Sequence, residues 1–234
     1  MLASAFNSMI TLENVSKTYP PNIKALDRVS LSIKAGEFVS LVGQSGTGKT
    51  TFVRCLIGEE KPNEGKIKIG DWDITKIGKR EIPYLRRQVA VIFQDFKLLP
   101  KKTLYENVAF ALEVAGKSNA KIKSIVPQVM KIVGLGAKMH RYPNEVSGGE
   151  QQRAAIARAL VYQPKVLLAD EPTGNLDSIN AQEIIDLLRK INEFGTTIIL
   201  VTHNRDIVNR LKRRVITLHD GRVISDQAVG KYTL

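Results

Sequence analysis

The chain has a single cysteine, no apolar stretch near the length of a membrane span, and no long run of one charge. Cys55 cannot close an internal disulfide, which fits a reducing compartment, and it reads as core packing and not as a reactive thiol. Apolar runs such as residues 166–169 and 198–201 fall far below the roughly 18 residues that suggest a spanning helix. Any membrane role is therefore expected through a partner. The first residues lack a basic start, an apolar stretch and a small-residue cleavage site, and residues 1–8 are expected to be a non-core extension ahead of Met9. Internal repeats and low-complexity tracts are also missing, which argues against solenoids and disordered tails.

What is present is ordinary for a folded globular protein: 234 residues, 43% hydrophobic and 25% charged. That length allows one large core with an inserted subdomain. Lys and Arg exceed Asp and Glu enough to give +12, a balance that can favour nucleic acid, anionic lipid or polyphosphate. With no long basic run, it reads as a solvated surface, and no nucleic-acid partner is expected.

Four short, apolar, β-branched segments, at residues 38–42, 89–93, 166–169 and 197–201, predict buried parallel strands. Residues 178–194 carry Ile184, Ile185, Leu187, Leu188 and Ile191 with helical spacing and stop at Gly195, as a helix before a strand should. Alternation at residues 10–19, 25–33 and 66–69 predicts an antiparallel sheet. Asp220-Gly221 predicts a hairpin joining residues 215–218 to 223–225. Helical patterns without strands at 103–115, 120–133 and 148–162 mark an inserted helical subdomain over about 95–160. The fold expected is α/β, a P-loop core over residues 9–234 with an antiparallel β subdomain and that helical insertion.

The chemistry begins at Gly43-Gln44-Ser45-Gly46-Thr47-Gly48-Lys49-Thr50, with Thr51 following. It matches the P-loop pattern in full and lies between an expected strand and an expected helix. Its glycines let successive N–H groups face one anion, the helix start adds positive potential, Lys49 reaches the β and γ phosphates, and the Thr50 hydroxyl completes a Mg2+ site. A second element, residues 165–171, is a strand that delivers Asp170 and Glu171 to a cleft. Asp170 is expected to hold Mg2+, and Glu171 to polarise the water that attacks the γ-phosphate. The Asn-Lys-x-Asp base reader of GTP-binding proteins is missing, which disfavours that class.

A third element is Val146-Ser147-Gly148-Gly149-Glu150-Gln151-Gln152-Arg153. Ser147 and Glu150 have capping-box spacing. The two glycines weaken the first helical turn yet expose its N–H groups to an approaching anion. One chain does not easily bring both phosphate-binding helix ends to one γ-phosphate, so each is expected to serve a nucleotide held by a second copy.

These motifs, in this order and over nearly the whole chain, resemble the ATP-binding subunits of ABC transporters. The resemblance implies that Tyr19 stacks on adenine and that Gln94 links Mg2+ to a membrane partner. It further implies that Ser147, Gly148, Gly149 and Glu150 form the signature acting in trans, that Asp177 belongs to the D-loop, and that His203 is the switch histidine beside catalytic Glu171 and Lys49. Val146 departs from the leucine usual in the family, and Glu150 from the glutamine of many members. Residues 80–88, 92–95 with Leu98 and Leu99, and 168–177 are similar to the cell-division branch, with the lipoprotein-release and macrolide-export branches as the alternative. That branch implies an ATP-dependent homodimer, an integral membrane partner, a cytoplasmic place at the inner face of the membrane, and control of cell-wall hydrolases. A docking role falls to Phe96, Leu98 and Leu99, which read equally well as subdomain core. Two rivals, a nucleic-acid or ribosome-associated ATPase and a non-catalytic scaffold, lack support: there is no second cassette or long coiled-coil insertion, and Lys49, Asp170, Glu171 and His203 are all present.

Overall fold

A computed structural model describes residues 8–232, and its elements follow the hydrophobic pattern closely. Strands β1 (Ser8–Tyr19), β2 (Ile23–Lys34), β4 (Glu64–Ile69) and β5 (Trp72–Asp73) form an antiparallel sheet in the order β2-β1-β4-β5. Strands β3 (Phe38–Val42), β6 (Val89–Ile92), β7 (Val166–Asp170), β8 (Thr197–Val201), β9 (Arg214–His219) and β10 (Arg222–Gln227) form the larger sheet, ordered β10-β9-β3-β8-β7-β6. All its pairings are parallel except the terminal hairpin β9–β10.

The central strands of the larger sheet, β3, β7 and β8, are buried on both faces, which is why they read as continuous apolar runs. Ile198 and Leu200 of β8 face one core cluster, with Leu167 and Ala169 of β7 and the helices α3 (Leu104–Val114), α4 (Asn119–Ile132), α5 (Gly148–Leu160) and α6 (Ser178–Glu193). Ile199 and Val201 face the other, with Val166 and Leu168, the antiparallel sheet and α1 (Lys49–Leu56). Cys55 belongs to that second cluster, and burial pushes its thiol up to about 12, so it packs and does not react.

Among the strands and α-helices, three elements escaped the sequence pattern: β5, α2 (Ile82–Gln88) and α7 (Arg205–Leu211). The latter two are seven residues long, too short for a helical period to stand out. The expected C-terminal hairpin exists, but β9 joins β3 in parallel and so extends the core sheet. Expectations for residues 1–7 lie outside the described residues, while Ser8 already belongs to β1.

Candidate nucleotide site

The phosphate loop runs from the end of β3 into α1, where the C-terminal ends of parallel strands open a crevice. Gly43 has no space for a side chain, because a Cβ there would meet the Leu218 carbonyl oxygen and lie 2.7 Å from Thr47 Oγ1. Gly48, with φ 99°, packs in the same way against the Ala25 carbonyl oxygen. The loop is thus clamped between β9 and β2. Lys49 Nζ donates to the carbonyls of Gly43 and Gln44, both at 2.7 Å, which centres the ammonium inside the loop. No acidic residue stands in the first turn of α1, so the helix start keeps its positive potential for an anion.

Asp170 closes β7, and Glu171 follows with φ 48°. That left-handed conformation costs a non-glycine residue on the order of 1–3 kcal/mol, and such outliers gather at functional sites. It is held because the Glu171 N–H donates to the Val201 carbonyl at 2.9 Å. The carboxylate is fixed from two sides: Thr202 Oγ1 donates to Oε2 at 3.2 Å, and His203 Nδ1 lies 2.7 Å from Oε1. Burial first, and the neighbouring Glu171 second, raise the Asp170 carboxyl against the pull of Lys49 and Arg54. Burial lowers the Lys49 ammonium against the pull of Glu171 and Asp170. The two carboxylates and the one ammonium therefore share a single electrostatic environment.

These groups line one cleft of about 700 Å³ together with Gln44, Ser45, Gly46, Gly48, Thr50, Thr51 and Gln94. Thr47 is buried beneath the loop, its hydroxyl donating to the Gln44 carbonyl at 2.9 Å. Gln94 sits just past β6, donating through Nε2 to Asn175 Oδ1 at 3.2 Å, and Asn175 Nδ2 donates back to the Gln94 carbonyl at 3.3 Å. Tyr19 lies outside the lining: its hydroxyl is buried without a partner among the described residues, and Lys17 Nζ stands 5.1 Å from its ring centroid. From that hairpin the cleft receives Ile23 and Ala25 instead, and from the C-terminal part Arg205 and Tyr232. The reading of the residues had no means of finding those four, since none sits in a phosphate-binding pattern.

The structure does not bring Ser147–Glu150 or Asp177 into this cleft. Ser147 caps α5: its Oγ accepts from Glu150 N at 3.3 Å, while Glu150 Oε2 accepts from Ser147 N at 3.0 Å. The other carboxylate oxygen of Glu150 pairs with Lys138 Nζ at 2.6 Å, and that hydrogen bond holds the carboxyl below its usual range. Glu150 is thus occupied within its own chain. Asp177 likewise caps α6, accepting from the backbone N–H groups of Ile179 and Asn180 at 2.9 Å. At the start of α5, Ser147 is exposed and Gly148 half-buried, so that helix end can be reached from outside the chain.

The donor set suits Mg2+. Thr50, Gln94 and Asp170 offer a hydroxyl, an amide and one carboxylate in the same cleft, hard oxygen donors of the kind Mg2+ takes alongside phosphate oxygens and water. Among the described residues no group of three or more His, Cys, Asp or Glu side chains gathers. No helix of the described residues is long and apolar enough to cross a membrane.

Comparison with known proteins agrees with this geometry. The family described as ABC transporter matches residues 26–174. The chain is similar to the cell division ATP-binding protein FtsE of Streptococcus pneumoniae strain D39, 52% identical with 96% of this chain and 98% of that protein covered. Similarity to FtsE of Bacillus subtilis is 49% over 96% and 98%, and to FtsE of Escherichia coli K12 44% over 92% and 97%. Among solved structures, the ATP-binding cassette MJ0796, a dimer in a post-hydrolysis state bound to ADP and Pi, superposes with a TM-score of 0.85 at 37% identity, covering 96% of this chain and all of that one. Phosphate loop, paired carboxylates and capped second helix thus stand in a chain that belongs to the ABC transporter family of ATP-binding cassettes, with ATP hydrolysis as its activity.

Proposed function

We propose that this chain is an FtsE-like ATPase whose ATP-driven pairing works an integral membrane partner of the FtsX type and so controls cell-wall hydrolysis during division. The observation that carries its chemistry is the Glu171 carboxylate, held by Thr202 and His203 beside Lys49 and Asp170 in one cleft. Glu171 orients and polarises the attacking water, Lys49 and the loop N–H groups stabilise charge on the γ-phosphate, and His203 holds Glu171 in place. Thr50, Asp170 and Gln94 would hold Mg2+, which would supply charge neutralisation on the phosphates.

Each ATP lies between the phosphate loop of one copy and Ser147 and Gly148 of the other. Hydrolysis removes the bridging γ-phosphate, and the pair opens. The chain sits peripherally at the inner face of the membrane through its partner. Leu99 is exposed, and the buried Asn107 ties its backbone in place, accepting from Leu99 N at 2.6 Å and donating to Leu99 O at 3.1 Å. Leu98 instead packs against the core, which leaves Phe96 and Leu99 as the docking residues.

The test is Glu171→Gln, which keeps shape and removes the charge. It should bind ATP, dimerise in sedimentation, and lose at least about 10²-fold in turnover. Adding Gly148→Glu should abolish the ATP-dependent dimer while each monomer still binds ATP. A dimer that persists unchanged counts against the trans arrangement.

A further inference from the structure

Gln152 lies two residues beyond the signature, on α5, and is fully buried. Its Nε2 donates to the Pro172 carbonyl at 2.7 Å and reaches the Phe93 carbonyl at 3.4 Å, while its Oε1 has no hydrogen-bond partner among the described residues. The two carbonyls belong to residues next to the reacting groups: Phe93 precedes Gln94, and Pro172 follows Glu171. They emerge from neighbouring parallel strands, β6 and β7, paired through Ile92 and Ala169. One amide group therefore spans the point where the metal-side and water-side segments leave the sheet.

A half-buried cation on the same helix, Arg158, reinforces the arrangement. Arg158 has no carboxylate partner among the described residues; burial lowers its guanidinium, which donates to the carbonyls of Lys97 at 2.6 Å and Phe96 at 2.9 Å. Lys97 itself has φ 49°, a conformation that has to be held by its surroundings. The segment from 93 to 97 is thus fastened to α5 at both ends. An apolar side chain at position 152 would strip the Pro172 carbonyl of its 2.7 Å donor, and a buried acceptor left unpaired costs on the order of 1–3 kcal/mol.

We infer that Gln152 is a positioning residue for hydrolysis: it sets the spacing of Gln94 and Glu171 by bridging the backbone beside each, and ties that spacing to the signature helix of the same chain. The inference rests on the assignment of Gln94 and Glu171 to the reacting end. A single helix then carries Ser147 and Gly148 toward one nucleotide and Gln152 toward the machinery of the other. Displacing α5 at either site shifts the other through the Phe93 and Pro172 carbonyls.

The experiment is a steady-state ATPase assay of the full chain with Gln152→Leu, Gln94→Ala and the double variant, with Glu171→Gln in parallel. Gln152→Leu should lower kcat about 10- to 100-fold, the range for groups that orient a reacting shell, with KM for ATP within about twofold. The losses of Gln152→Leu and Gln94→Ala should be non-additive, because the two act as one unit. Gln152→Glu, whose acid form keeps one donor for the Pro172 carbonyl, should retain more activity than Gln152→Leu, and it is the variant assayed if the leucine chain does not fold. Parent-like kcat in Gln152→Leu, or strictly additive losses, would overturn the inference, as would loss of folding in both variants. An active Glu171→Gln would instead overturn the site assignment on which it rests.

Discussion

The side-chain amide of Asn180 occupies the space that a Cβ on Gly149 would need, with Asn180 Cγ 2.8 Å from that position. Asn180 cannot simply move aside, because its N–H and its Nδ2 both donate to the Asp177 carboxylate. Gly149 is therefore glycine for packing between α5 and α6 within one chain. Gly148 differs: a Cβ there would meet Leu176 Cδ2 at 3.4 Å and Phe96 Cζ at 3.7 Å, which is ordinary contact.

The two neighbouring glycines should separate cleanly in a thermal denaturation series. Gly149→Ala should lose about 1–3 kcal/mol by overpacking, and much of that should return when Asn180→Ala is added. Gly148→Ala should melt at or slightly above the parent, since alanine improves a helix by up to about 1 kcal/mol over glycine. Equal losses at both positions would show that Asn180 does not decide the matter.

The sequence made the site legible where chemistry demands a contiguous pattern. Residues 43–50 lie as expected between strand and helix, and residues 166–170 form the expected buried strand, because a phosphate needs adjacent N–H groups and a buried strand needs apolar residues. In it Gly149, like Gly148, reads as opening the helix start to an anion, since a glycine that admits an anion and one that admits a neighbouring amide look the same in one dimension. Ile23, Arg205 and Tyr232 line the cleft only because β2, α7 and the chain's last described residues converge there. Tertiary convergence leaves no local period to read.

The hydrogen bonds to Glu171 predict an order of effects. His203→Ala removes the 2.7 Å contact to Oε1, and Thr202→Val removes the longer 3.2 Å bond to Oε2. Turnover should fall on the order of 10²-fold for the first and about tenfold or less for the second, with ATP affinity nearly constant. Measured kcat and KM for each variant check this, and a larger loss for Thr202→Val would reverse the ranking.

Arg205 adds a second cation to the cleft, with its guanidinium carbon 5.7 Å from the Tyr232 ring centroid and no ion pair among the described residues. Tyr232 is 6% exposed and packs with Val42, Val208 and Val215. Tyr232→Ala should cost about 3 kcal/mol of stability through the cavity it leaves. Arg205→Ala should barely shift the melting temperature, yet weaken ATP binding a few-fold and reduce its salt dependence. Nucleotide titrations at two salt concentrations test the pair, and unchanged affinity in Arg205→Ala would remove that residue from the site.

Arg222 and Asp27 join the core-sheet hairpin to the antiparallel sheet, Arg222 Nε donating to Asp27 Oδ2 at 2.8 Å and Nη2 to the same oxygen. That hydrogen bond, ahead of the opposing effect of burial, holds the Asp27 carboxyl below the usual carboxylate range. A carboxyl depressed in the folded state contributes stability that is present above its unfolded pKa of about 3.9 and is lost as pH falls through the folded value. Arg222→Ala should therefore melt below the parent at pH 7, and the gap should close as pH drops below about 4. Denaturation of both chains across that range decides it. A gap that stays constant into acid would mean that Arg222 acts by packing its stem and not by its charge.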